Sequence, residues 1–268
     1  MNPKVTETKL IAWVLRGLLT ALAGALAVPV QAQQSAPAAS DARAGAPLDL
    51  TGYWVALVTE DWRFRMLVAD PGDTESIPLN PEGVKIAKAW DPQQARADTD
   101  NACKAFGAAG LMRIPGRVHI SWQNNNTLKV ETDSGMQTRL LRFGGVPPAN
   151  VSSSWQGYSV ARWRGMRPPL PGVTTVAAQK KEGYLQVDTS DLRPGYLRTN
   201  GVPYGAATRL LEYYDSFTEL NGDRYLVITT IVKDPEYLTE PFVTSSHFKW
   251  LADASGWDPT PCRADEPR

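Results

Sequence analysis

Few side chains in this sequence are equipped to move a proton at neutral pH. The imidazoles are His119 and His247, and the acid best placed among strand-forming residues is Glu212, between Leu210 and Tyr214. An imidazole titrates close to neutrality and can shuttle protons. A carboxylate turned toward an apolar interior is either paired with an arginine, such as Arg139 or Arg142, or has its pKa raised and works as an acid/base. His119 falls on the strand face opposite Val118, Ile120 and Trp122, and His247 opposite Phe248 and Trp250. If those apolar residues fill an interior, both imidazoles point outward; if they pack against outer helices and loops, both point inward. Only the second case brings His119, His247 and Glu212 together as the catalytic set of a cofactor-independent lyase, isomerase or hydrolase. No G-x-S-x-G elbow occurs. Cys103 and Cys262 lack C-x-x-C spacing, so neither a metal site nor any cofactor is expected.

A second group of residues suits binding. Glu60, Asp61, Arg63 and Arg65 could hold a polar or anionic ligand group at a barrel mouth, with Trp62 as a stacking floor; the plain alternative is a salt-bridged surface hairpin. The segment Asp191 to Tyr204 is long, aromatic and rich in turn formers. As a capping loop it would offer Arg193 and Arg198 as anion contacts, with Tyr196 and Tyr204 packing at the rim. Arg139, Tyr158 and Tyr214 complete the candidate ligand-facing set. The nine tryptophans and nine tyrosines could line a cup for an apolar or carbohydrate ligand, or could simply build the core.

The elements that must position these residues read mostly as strands. Polar and apolar residues alternate over Tyr53 to Thr59, Arg63 to Val68 and Arg117 to Trp122, which is the period of a half-buried strand. Gln123 to Asn126 reads as a hairpin turn, Thr127 to Thr132 as the return, and Asp133-Ser134-Gly135 as a turn into Met136 to Phe143. Further strands are expected at Gly157 to Trp163, Tyr184 to Thr189, Thr208 to Phe217, Arg224 to Val232 and Pro241 to Trp250, with Asn221-Gly222-Asp223 as a tight turn. One helix has clear signals: Asn80 as N-cap, Pro81 at the first position and Glu82 in the first turn, ending at Asp91-Pro92. A short helical piece fits Cys103 to Phe106. Many short strands and few helices predict an all-β fold, an antiparallel lipocalin-like barrel of about ten strands, with a two-sheet sandwich as the alternative.

The N-terminus reads as a secretory signal. Lys4, Lys9 and Arg16 precede an apolar run of about 14 residues, shorter than the roughly 20 needed to span a bilayer as a helix. Val30-Gln31-Ala32 is a small-residue cleavage site, which makes residues 1–32 the signal. Residues 33–47 hold no large apolar side chain and read as a flexible linker, leaving 48–268 as a single domain. Export takes both cysteines to an oxidising compartment, so one Cys103–Cys262 disulfide is expected. The 28 basic and 28 acidic residues balance, and losing the signal makes the chain slightly acidic. Neither nucleic acid nor stable membrane insertion suits such a chain; a small molecule does.

The pattern Trp155-Gln156-Gly157-Tyr158-Ser159, the strand Gly183-Tyr184-Leu185-Gln186-Val187-Asp188-Thr189 and the run Asp234-Pro235 to Pro241-Phe242 resemble an uncharacterised group of exported bacterial lipocalin-like proteins. The resemblance covers roughly the C-terminal half, plus Thr59 to Arg63. It implies the barrel and a periplasmic or secreted location, and assigns no activity to any residue. The expectation is therefore an exported protein holding a small, largely apolar molecule in its barrel. N-terminal sequencing of the exported protein is predicted to begin at Gln33, and a start at Met1 would refute the cleavage.

Overall fold

Alternation of apolar and polar side chains along the strands decides the architecture. The computed structural model describes residues 41–67, 69–165 and 183–263. The expected signal, the start of the linker at residues 33–40, and Val68 lie outside the described residues. The strands are β1 (Gly52–Leu57), β2 (Arg117–Asn124), β3 (Thr127–Thr132), β4 (Ser134–Gly135), β5 (Thr138–Phe143), β6 (Tyr158–Arg164), β7 (Tyr184–Ser190), β8 (Gly195–Tyr196), β9 (Pro203–Tyr204), β10 (Arg209–Thr218), β11 (Arg224–Lys233), β12 (Phe242–Leu251) and β13 (Thr260–Pro261). Nine of them close into a barrel in the order β1-β12-β11-β10-β7-β6-β5-β3-β2. Closure runs through the β1·β2 ladder, where Tyr53 faces His119 and Trp54 faces Val118. It leaves no free edge, which excludes the sandwich.

The expected all-antiparallel pattern needs one correction. β5 and β6 pair in parallel, Leu141 opposite Ser159 and Phe143 opposite Ala161. The connection 144–157 carries the chain from the end of β5 back to the other rim, so β6 must start where β5 starts. The barrel is mixed, with nine strands where about ten were expected.

Inward positions fill the lumen. Trp54, Leu141, Leu185, Tyr214, Ile228 and Phe248 are each 1% exposed or less. A hollow large enough for water would leave measurable surface on its walls, so the barrel is solid at this level. One rim is closed by the rings of Trp122, Phe143 and Trp163, with centroids 5.6 and 5.2 Å apart. Here the linker expectation fails for residues 41–47. Ala42 N donates to Asn126 Oδ1 at 2.9 Å, Arg43 N donates to the Asn125 carbonyl, and Trp163 Nε1 donates to the Ala42 carbonyl at 2.8 Å. Small residues dock here because hydrogen bonds, rather than apolar area, hold them.

The other rim carries a cap made by residues 58–116 and the loop from Asp191 to Thr208. Its helices are α1 (Trp62–Met66), α2 (Pro81–Ala89), α3 (Pro92–Ala97) and α4 (Ala108–Leu111), with single 3-10 turns at Thr99–Asn101 and Lys104–Phe106. The cap signals of α2 act as expected: Asn80 Oδ1 accepts from Gly83 N at 2.9 Å. Phe106, Leu111 and Met112 plug the lumen, while Ala87, Leu197, Val202 and Tyr204 form a second apolar cluster outside it. Arg63 to Met66, expected as a strand, is helical. Both edges of β1 are already taken by β2 and β12, so the segment has no ladder to join. Asp61 turns the chain at φ 49° and its carbonyl accepts from Phe64 N and Arg65 N.

Cys103 and Cys262 form the expected disulfide, with Cα atoms 5.0 Å apart and 159 residues of separation. β13 lies parallel to β4 beside it. In the chain-entropy picture a loop of that length contributes about 5 kcal/mol. Reduction, or Cys262→Ser, is predicted to lower the unfolding free energy by about 2–5 kcal/mol in urea titrations; an unchanged midpoint would refute the staple.

Candidate functional site

The buried charges of the barrel come first, because they decide where a site can be. Arg139 on β5 and Glu212 on β10 meet in the lumen, both side chains at 0% exposure. The contact is bidentate, Nη1 to Oε1 at 2.9 Å and Nη2 to Oε2 at 2.5 Å. Thr189 Oγ1 accepts from Nη2 at 3.3 Å and shares a hydrogen bond with Ser159 Oγ at 2.8 Å, while Tyr214 OH lies 3.4 Å from both partners of the pair. Burial opposes the charge on Arg139, but the Glu212 carboxylate outweighs it and holds the guanidinium pKa above its ordinary value. Burial and then Glu212 push the Tyr214 hydroxyl upward as well. Glu212 thus takes the paired alternative: it is held by a fork of donors.

The two histidines stand on the opposite side of the wall. His119 stacks on Tyr53, with centroids 4.2 Å apart, and its Nδ1 is 3.1 Å from Glu131 Oε2. Burial would raise the Glu131 carboxyl, but hydrogen bonds from Lys129 and His119 bring it below its ordinary range. His247 lies 3.1 Å from Thr59 Oγ1 and 3.4 Å from Glu60 Oε2. The larger apolar residues fill the interior, so both imidazoles face outward and share no cavity with Glu212. The three-residue catalytic set has no geometry to act through.

Space is found outside the lumen. A groove of about 640 Å³ runs along the outer wall, lined by Leu57, Phe217, Leu220, Tyr225, Val227 and His247, with Thr59, Glu219 and Asn221 at its ends. Phe217 and Tyr225 stack at its floor, 5.5 Å apart and 26° from parallel. Leu220 is wholly exposed and Phe217 nearly half exposed. Alternation alone points these residues to solvent. The signal for the groove is a failure of alternation: Tyr225-Leu226-Val227-Ile228 is apolar on both phases, so one phase is left with no core to fill.

A second recess lies in the cap, about 30 Å³, where Phe64, Arg65, Arg113, Leu197 and Arg198 converge. Arg65 donates from Nη1 to the Glu60 carboxylate and from Nε to the Arg113 carbonyl at 2.9 Å. Arg113 Nη2 reaches Asp61 Oδ2 at 2.9 Å. Arg198 donates from Nη2 to the Glu75 carbonyl at 2.7 Å and to Ser76 Oγ at 2.9 Å, and its guanidinium lies 3.9 Å from the Phe64 ring centre.

Of the expected ligand-binding residues, Arg65 and Arg198 line this recess, and Glu60 and Asp61 pair with its arginines. The others disperse. Trp62 is exposed, and the aromatic floor is Phe64 instead. Arg63 turns to solvent and binds Asp73 and Glu75, each at 3.0 Å. Arg193 stacks on Trp155 and binds Asn101, Tyr158 lies under Arg142, and Tyr196 under Lys104. Tyr204 is buried in the cap cluster, where burial raises its hydroxyl pKa. Arg139 and Tyr214 belong to the lumen. Arg113 was not among the expected residues: a lone arginine between Met112 and Ile114 carries no spacing signal.

No family model, curated protein or solved structure matches this chain. Its sites are therefore read from their own geometry.

Removing one partner of the lumen pair leaves the other charge buried. Glu212→Gln is predicted to cost about 3–5 kcal/mol of stability, whereas Arg139→Met with Glu212→Leu recovers most of that loss. Urea unfolding of the wild type, both single variants and the double decides it, and a loss in the double variant equal to the sum of the two single losses would show that the pair is uncoupled.

Proposed function

We propose that this chain is an exported binding protein for a small, largely apolar molecule, and that its receptor is the outer-wall groove instead of the lumen. The observation that carries the reading is the contrast between a barrel solid at its centre and a groove of about 640 Å³ floored by stacked rings. Small-molecule sites commonly occupy about 300–1,000 Å³, apolar in the main with a few polar groups for orientation. Here Phe217, Tyr225, Val227 and Leu57 supply the apolar part. Thr59, His247 and Asn221 supply donors and acceptors at the ends. The ligand this fits is a flat or aliphatic body of modest size with a hydrogen-bonding group at one end.

The periplasmic or secreted setting rests on the charged-then-apolar N-terminus and agrees with the closed Cys103–Cys262 disulfide. Among the described residues no helix is long and apolar enough to cross a membrane. The 28 basic and 28 acidic residues balance, so no net positive charge draws the chain to nucleic acid.

The test uses a neutral apolar fluorophore, N-phenyl-1-naphthylamine, titrated into the full chain. Val227→Glu places a charge in the groove from a half-exposed position and is predicted to weaken binding about tenfold or more, since charge burial without a partner is costly. Val243→Glu, on the outer face of the neighbouring strand β12 but beyond the groove, should leave binding unchanged. Equal binding by wild type and Val227→Glu would refute the site.

A further inference from the structure

We propose that the cap recess between Arg65, Arg113 and Arg198 is a binding site for a compact monoanion, specifically a carboxylate group, independent of the outer-wall groove. The three arginines are 2%, 7% and 6% exposed. Glu60 and Asp61 neutralise Arg65 and Arg113, but among the described residues Arg198 makes no ion pair. Its Nε and Nη1, and Nη2 of Arg65, are buried N–H groups with no acceptor among the described residues. Buried donors almost always find an acceptor. Donors left over on two different arginines of one recess therefore point to an acceptor that comes from outside.

Charge and size narrow the class. Four carboxylates, Glu60, Asp61, Asp73 and Glu75, surround four guanidiniums, those of Arg63, Arg65, Arg113 and Arg198. The neighbourhood as a whole is neutral, so no broad positive field favours a dianion. The attraction is local. Asp73 and Glu75 are held by the largely exposed Arg63, while Arg198 lines the recess. About 30 Å³ is room for a group of a few atoms, given that one water needs roughly 10–15 Å³. A planar carboxylate matches a guanidinium edge with two parallel hydrogen bonds. Phe64 beneath Arg198 and Leu197 beside it exclude water from the contact.

The electrostatics agree. Burial, and then the neighbouring Arg113 charge, push Arg198 down to about 10. Burial also lowers Arg65, despite Glu60. A base whose folded pKa is depressed costs stability while charged, here below about pH 10, and that cost is relieved as pH rises through this value. A bound monoanion relieves the same cost at neutral pH, so its binding must raise thermal stability.

The experiment follows the melting temperature of the full chain with sodium acetate against the neutral isostere acetamide, ionic strength held constant. Acetate is expected to raise the melting temperature saturably and acetamide to leave it unchanged. Arg198→Met should shift the half-saturating concentration at least tenfold, and Arg193→Met, an exposed arginine outside the recess, should not shift it. Should Arg198→Met fail to fold, Arg198→Lys keeps the charge but loses the fork, and should weaken the response several-fold. Hexanoate binding as well as acetate would assign the recess to the end of a longer molecule, and acetate binding alone to a free small carboxylate; both uphold the proposal. It is overturned if acetamide matches acetate, if Arg198→Met responds like the wild type, or if neither carboxylate shifts the melting temperature, which would mean that the recess holds water only.

Discussion

Two full charges, Arg139 and Glu212, sit at the centre of the barrel with no access to water. Taking each out of water costs several kcal/mol, and only their mutual bidentate contact, with Thr189 and Tyr214 alongside, offsets that cost. The pair is therefore sensitive to any hollow that would hydrate one partner and not the other. It requires a dry lumen, hence closed ends: rings of Trp122, Phe143 and Trp163 at one rim, Phe106, Leu111 and Met112 at the other. A barrel stabilised in this way cannot also be an open cup.

The remaining architecture follows from that constraint. With the interior full, apolar residues on the outer phase of β11 and at the end of β10 have nowhere to go but the wall, and they make the groove. The cap, which exists to close the rim, brings arginines from three separate segments together where water is scarce. Glu60 bonds to lining residues of both recesses. One oxygen binds Arg65 in the cap; the other reaches Thr59 and His247 at the groove. His247 thus matters as a polar end to an apolar groove, and His119 as a ring stacked on Tyr53 with Trp257 edge-on to it.

Most of the barrel could be read from the sequence because strand period is a local property. The strand from Tyr184, the hairpin at Asn221 to Asp223 and the Asn80-Pro81 helix start all needed only neighbours within a few residues. Glu212 with Arg139 was legible as one of two outcomes, since an inward acid either finds a cation, Arg139 or Arg142, or has its pKa raised. What escaped were features set by distant partners. Arg63 to Met66 alternates like a strand, yet β1 had no edge to offer it. The parallel β5·β6 pair depends on where the 144–157 connection runs, which alternation does not encode. Asp41 to Pro47 looks like linker because its docking uses backbone groups and one Trp163 indole, and composition does not record those. Arg113 joins Arg65 and Arg198 across 48 residues in one direction and 85 in the other, a convergence that only the folded cap creates.

The disulfide bears on this convergence more than on the barrel. The closed ladder already ties the nine strands together, but the cap segment between Cys103 and Gly116 has only short helical turns of its own. That segment contributes both Phe106 and Leu111 to the lumen plug and Arg113 to the arginine recess. Cys103 anchors its start to the C-terminus, where Thr260-Pro261 pairs with Ser134-Gly135 beside the plug. Gln137 Nε2 donates to the Gly135 carbonyl at 2.6 Å and Gln156 Nε2 donates to Gln137 Oε1 at 2.8 Å, joining the same corner to the segment that precedes β6. A covalent bond is needed here because the helical turns are too short to hold their position by themselves. Loosening this corner would disturb the plug and the arginine recess before it opened the strand ladder, since the ladder's hydrogen bonds run through other residues.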